Sequence, residues 1–108
     1  MGEYEKSFNN NRQMNLEEVK RVLKQHKNSL FPRYAILNLA IFGSVSRGEE
    51  TLDSDLDILV EFKKPIGIRF IDLADELEEI LKIKVDLVSK DGVKPKYLKY
   101  IEQDLTYV

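Results

Sequence analysis

Gly43-Ser44-Val45-Ser46-Arg47-Gly48-Glu49-Glu50-Thr51-Leu52-Asp53-Ser54-Asp55-Leu56-Asp57-Ile58-Leu59-Val60 joins a glycine turn to closely spaced carboxylates at the head of an apolar run. Asp55 and Asp57 stand two apart at the mouth of a strand, and the strand period of two sends both side chains to one face. Like charges so placed repel unless one is protonated or a cation bridges them. A hard divalent ion with oxygen ligands, Mg2+ above all, is the usual bridge. Gly43 permits close backbone approach and a left-handed turn. Ser44 adds a hydroxyl and, at the start of a following helix, a free amide, so the pair is suited to cradle phosphate oxygens. Arg47 is a cation for phosphate, Gly48 lets the chain turn back, and the Ser54 hydroxyl can cap or orient the carboxylate loop.

On either side of this stretch the periodicity changes kind. Residues 37–42 put Leu39 and Ile41 on one side of a short buried strand, and residues 56–62 form a second strand closed by Lys63-Lys64-Pro65. Residues 68–81 carry Phe70, Leu73, Ala74, Leu77, Ile80 and Leu81 at helical spacing, with Asp72, Asp75, Glu76, Glu78 and Glu79 left for a solvated face. Residues 84–88 alternate as a third strand centred on Asp86, a charge between core-type neighbours that is costly unless it faces a site. If this strand lies beside 56–62, three carboxylates converge. Such a triad can hold two Mg2+ ions for in-line phosphoryl transfer, with Asp86 placed to take the proton of an attacking hydroxyl.

Further out, Asn15 and Glu18 form a helix-start signature, and Leu16, Val19, Val22, Leu23, His26 and Leu30 follow the helical period up to Pro32. Asp91-Gly92 marks a turn, Pro95 suits a first helical position, and Leu98, Ile101 and Leu105 supply the apolar side of a last helix. The order helix, strand, turn, strand, helix, strand, helix predicts an α+β fold, an α/β sandwich in which a small mixed β-sheet packs on helices. Residues 1–13 are mostly polar around Asn9-Asn10-Asn11, so residues 1–14 are read as a flexible arm ahead of one domain spanning 15–108.

With 108 residues, 43% hydrophobic and 33% charged, the chain suits one globular domain with a core and excludes a multi-domain enzyme or a disordered chain. Seventeen basic against 19 acidic residues leave a net charge of −2, which disfavours nucleic acid as a partner. The absence of cysteine removes disulfides, thiolate zinc sites and thiol nucleophiles, and the apolar runs are too short to span a bilayer; the expected location is the cytoplasm.

Three rival motifs fail. Gly43 and Gly48 have the spacing of a P-loop's glycines, but Glu49 stands where its lysine is needed. The run from Asp53 begins like a calcium loop, yet Ile58 and Lys64 replace its glycine and final glutamate. His26, the only histidine, lies on an amphipathic helix with no nucleophile elbow nearby, which suits packing better than catalysis.

The set Gly43-Ser44, Arg47-Gly48, Ser54-Asp55-Leu56-Asp57 and the later Asp86 resembles the nucleotidyltransferase superfamily that includes DNA polymerase beta, specifically its minimal nucleotidyltransferase (MNT) branch. The likeness runs over roughly residues 16–105. It implies transfer of AMP from ATP to an acceptor hydroxyl with two Mg2+ ions. Asp55 and Asp57 are then the main metal ligands, Asp86 the third catalytic carboxylate, and Gly43, Ser44, Arg47 and Ser54 the nucleotide-binding residues. Several MNT proteins are antitoxins that silence a HEPN-domain RNase toxin by adding AMP to a tyrosine, so the resemblance implies a HEPN toxin partner and a protein acceptor that docks. Lys90, Lys94, Lys96 and Lys99, with Tyr97 and Tyr100 interleaved, are candidates for facing that partner or the nucleotide; a solvated face with the rings in the core or an interface is the plainer reading. Two other functions compete: a non-catalytic antitoxin that neutralises its partner by complex formation, and a nucleotidyltransferase acting on a small molecule or an RNA end.

Overall fold

The structure, a computed structural model, describes residues 14–108. The arm expected over 1–14 lies outside the described residues apart from Met14, which is half-buried against the core. The described elements are α1 (Leu16–Arg33), β1 (Ile36–Phe42), α2 (Gly43–Arg47), β2 (Leu56–Phe62), α3 (Arg69–Leu81), β3 (Val85–Ser89), a 3-10 turn (Lys90–Gly92), α4 (Pro95–Glu102) and β4 (Thr106–Tyr107). They form a mixed four-stranded sheet in the order β3-β2-β1-β4, with β2 and β3 parallel and the other pairs antiparallel. The parallel pair follows from α3, whose length lets the chain cross back before β3 begins.

Alternation along the strands sorts the sheet into two faces. Leu39 and Ile41 of β1 and Leu56, Ile58 and Val60 of β2 are buried among Val19, Leu23 and Leu30 of α1 and Leu73, Leu77 and Leu81 of α3. One face of the sheet therefore carries both long helices, and the odd positions of β2, Asp57 among them, point to the other. The antiparallel and parallel registers pair Asp57 with Phe42 on one side and Asp86 on the other, so these three residues share that second face.

α1 opens with a complete capping box: the Asn15 side chain accepts from the Glu18 amide at 2.9 Å, and the Asn15 amide donates to the Glu18 carboxylate at 3.1 Å. Its end departs from expectation, because Pro32 lies inside the last turn instead of beyond it. Pro32 deprives Asn28 of one ladder bond, at a residue exposed to solvent, while the turn it sits in buries Leu30 and Tyr34. Ala35 then takes a positive φ of 52° and turns the chain into β1. His26 does not join the apolar stripe; it is exposed.

The acidic side of α3 is more than a solvated face. Glu76 accepts from the Tyr34 hydroxyl at 2.8 Å and from both terminal nitrogens of Arg33, and Glu78 accepts from the Val85 amide at 2.9 Å. Glu76 thus ties α3 to the end of α1, and Glu78 holds the first residue of β3. The Arg33 hydrogen bonds lower the Glu76 pKa from its ordinary value, against a smaller opposing effect of burial. A carboxylate so lowered adds stability above its unfolded pKa and loses it as pH falls through the folded one. Glu76→Gln is expected to lower stability at neutral pH by no more than about 1 kcal/mol, since the pair is solvent-screened. Denaturant titrations should show that gap closing as the pH is lowered through the carboxylate range.

Candidate active site

Gly43 begins α2 directly at the end of β1, with φ +75°, and the absence of a side chain there has a specific occupant. A Cβ on Gly43 would stand 2.2 Å from Asp57 Oδ2 and 3.1 Å from Asp57 Cγ. The glycine is required because the Asp57 carboxylate fills the space a side chain would take. Gly48 closes α2 with φ +73° and nothing within 4 Å of a Cβ, so its need is conformational alone. The turn between them is a five-residue helix, so Ser44 stands at a helix start as its amide's expected role requires. Ser44 is half-buried in it, and its carbonyl accepts from the Glu49 amide at 2.8 Å.

Asp57 is half-buried at the second residue of β2, and Asp86 is its direct partner across the parallel pair. The two carboxyls lie within hydrogen-bonding reach, and Asp55 adds a third negative charge in electrostatic range. Burial first, then the charges of Asp86 and Asp55, push the Asp57 carboxyl up to about 6. The structure thus pairs Asp57 with Asp86 on one sheet face and leaves Asp55, just before β2, in electrostatic range of Asp57. Among the described residues, however, no three acidic, His or Cys side chains close into a ready metal cage. That donor set fits Mg2+, which is held by one or two carboxylates and completes its shell with water and substrate phosphate instead of further protein ligands.

Ser54 caps the loop before β2: its hydroxyl accepts from the Thr51 amide at 2.9 Å, and its own amide donates to the Thr51 carbonyl at 3.0 Å. Arg47, expected as a phosphate partner, is engaged by two carboxylates. Its Nε donates to Glu49 Oε1 and its Nη1 to Asp104 Oδ2, both at 2.8 Å. These bonds, Glu49's first, raise the guanidinium pKa further, so the cation is permanent. Asp104 belongs to the connection between α4 and β4, and neither it nor β4 was legible in the sequence.

A cavity of about 470 Å³ is lined by Phe42, Gly43, Arg47, Tyr100, Ile101, Gln103 and Asp104. Cavities of about 410 Å³ against α1 (Glu17, Lys20, Arg21, Lys24) and about 510 Å³ against α4 (Pro95, Lys96, Lys99) are comparable in size. Size does not select among them; the crowded carboxylates behind Gly43 do. Tyr97 and Tyr100 are exposed, so of the two places expected for their rings, the core or an interface, the core is excluded, and Lys90 reaches Glu61 at 3.6 Å.

The model of the nucleotidyltransferase domain family matches residues 16–108. The protein adenylyltransferase MntA of Thermococcus cleftensis is 40% identical over 96 residues, covering 88% of this chain and 97% of MntA. A solved structure described as a candidate minimal nucleotidyltransferase superposes with a TM-score of 0.73 at 34% identity, over 87% of this chain and 96% of that one. The fold is shared, at 20% identity and a TM-score of 0.62, with a chain of a complex between a tri-AMPylated Shewanella oneidensis HEPN toxin and its MNT antitoxin, over 82% of this chain and 70% of that one. No helix among the described residues is long and apolar enough to cross a membrane. A turn whose glycine yields its side-chain space to a strand carboxylate, matched across nearly the whole described chain, thus places the protein in the nucleotidyltransferase domain family, as a minimal nucleotidyltransferase.

Proposed function

We propose that the chain transfers AMP from ATP to a hydroxyl of a partner protein, that the hydroxyl is a tyrosine's, and that the partner is a HEPN-domain toxin which this modification neutralises. The observation that carries the reading is the Asp57–Asp86 pair in register beneath Gly43, supported by the naming of relatives as protein adenylyltransferases and by the toxin complex that shares the fold. In this reading Gly43, Ser44 and Arg47 bind the triphosphate, and Ser54 fixes the loop that delivers Asp55 and Asp57. The acceptor oxygen attacks the α-phosphorus and forms the new P–O bond; the bond to the β-phosphate breaks, and pyrophosphate leaves. Asp86, the most exposed of the carboxylate pair, takes the phenol's proton. Asp55, Asp57 and Asp86 would hold Mg2+, which supplies charge neutralisation on the phosphates.

The raised Asp57 carboxyl favours this reading over a non-catalytic antitoxin, because crowding three carboxylates costs stability and a purely structural site has no use for it. Intact-mass measurement of the protein encoded beside this gene, after incubation with the chain, ATP and Mg2+, is expected to show gains in whole AMP units. An unmodified partner in a stable complex would instead favour neutralisation by binding alone.

A further inference from the structure

Asp104 lies outside every motif in the sequence, yet the chain builds a strut around it. Its side chain accepts from Arg47 Nη1 at 2.8 Å, and its main-chain carbonyl accepts from the Ser46 hydroxyl. Ser46 also bonds Thr106 Oγ1 at 2.7 Å, and Thr106 pairs with Ile41 of β1, the strand that ends at Gly43. Beyond it the Val108 amide donates to the Leu39 carbonyl at 2.9 Å. The backbone bearing Asp104 is therefore pinned on both sides to β1 and α2, and its side chain is about three-quarters buried.

A guanidinium has five N–H donors. Nε–H goes to Glu49 and one Nη1–H to Asp104, which leaves three donors on a head group whose plane is fixed beside a cavity lined by Gly43. A free arginine loses rotamer entropy on gripping a phosphate; one already clamped loses less. We propose that Asp104 is a positioning residue for nucleotide binding: from the segment between α4 and β4 it holds Arg47 so that the remaining donors meet the triphosphate. The inference rests on the nucleotidyl-transfer reading and adds to it a residue of the C-terminal segment. The opposite role, a carboxylate that occupies Arg47 and competes with phosphate, makes the opposite prediction.

The test is calorimetric titration of the full chain with a non-hydrolysable ATP analogue and Mg2+. Asp104→Ala is expected to weaken binding about tenfold, Asp104→Glu to restore most of it, and Asp104→Ala in an Arg47→Ala background to add nothing, since the two act through one contact. Ser46→Ala, which removes one pin on the backbone bearing Asp104 and keeps the carboxylate, is expected to give a smaller loss of the same kind, and to add nothing in the Arg47→Ala background, where general destabilisation would still show. Steady-state transfer should follow as a raised KM for ATP with kcat held. An unchanged or tighter Asp104→Ala chain overturns the inference, as does an equal loss in the Arg47→Ala background. Failure of the wild-type chain to bind the analogue at all overturns the nucleotidyl-transfer reading with it, so the two failures are told apart.

Discussion

An Asp57→Asn chain is expected to unfold at a higher temperature than the wild type while losing transfer. The Asp57 carboxyl is raised from 3.8 to about 6, by burial first and then by Asp86 and Asp55. A carboxyl raised in the folded state binds its proton more tightly there than in the unfolded chain. The fold therefore bears no penalty below pH 4, loses stability as pH rises between the unfolded and folded values, and carries the full cost above about 6. At about 1.4 kcal/mol per pKa unit the whole shift corresponds to about 3 kcal/mol. Because the side chain is only half-buried and its charge is screened, about 1 kcal/mol of this is expected to remain. Asparagine keeps the shape and removes the charge, so at pH 7.5 thermal unfolding should move up by about 4–8 °C. Mg2+ should raise the wild-type midpoint by relieving the same repulsion and leave that of Asp57→Asn nearly unmoved. Transfer should fall by at least about a hundredfold, the scale of losing one electrostatic contact made in the transition state. A wild-type midpoint at or above that of the variant in the absence of divalent ions would show that the three carboxylates are not crowded.

The positions that were legible in the sequence share one property: their partners are set by local periodicity. Alternation in β2 fixes which side Asp57 faces, and the apolar residue either side of Asp86 marks its strand as half-buried, so the pairing of the two follows once the strands are adjacent. The leucines of α3 and the capping box of α1 are legible for the same reason. What escaped depends on partners remote in the chain. β4 is two residues long, shorter than any alternation can mark, and it exists because the edge of β1 offers Ala40 and Ile41 to it. Asp104 reads as one more polar residue after a helix until Arg47, 57 positions away, is brought to it. Glu76 reads as solvated for want of any sign that Arg33 and Tyr34 lie opposite. Pro32 reads as a helix end because the local rule is sound, and tertiary burial of Leu30 and Tyr34 outweighs it. The carboxylates proposed to be catalytic are thus legible by spacing, whereas the contacts that hold Arg47 are visible only in three dimensions.

Gly43 and Gly48 share a positive φ and differ in what surrounds them, which lets substitution separate backbone strain from displacement of the site. Gly48→Ala meets nothing within 4 Å and costs only the left-handed backbone, about 1–2 kcal/mol. Transfer per folded molecule should stay within about threefold of wild type, because no atom at the Asp57–Asp86 pair has to move. Gly43→Ala bears the same backbone cost and adds a methyl group 2.2 Å from Asp57 Oδ2. Either the carboxylate rotates away or β1 and β2 part at Phe42–Asp57, where they are in direct register. Both outcomes displace Asp57, and a misplacement of about 1 Å at a reacting centre costs about a hundredfold in rate. Denaturant unfolding and transfer assayed on the same preparations should place Gly48→Ala low in stability and near normal in rate, and Gly43→Ala low in both. The Asp57 titration supplies the independent check: moved out from behind the turn, the carboxyl loses burial, the largest cause of its shift, and NMR titration of Gly43→Ala should find it moved from about 6 back toward the ordinary value of 3.8. Equal rates in the two alanine variants would mean that the contact between Gly43 and Asp57 has no part in the chemistry.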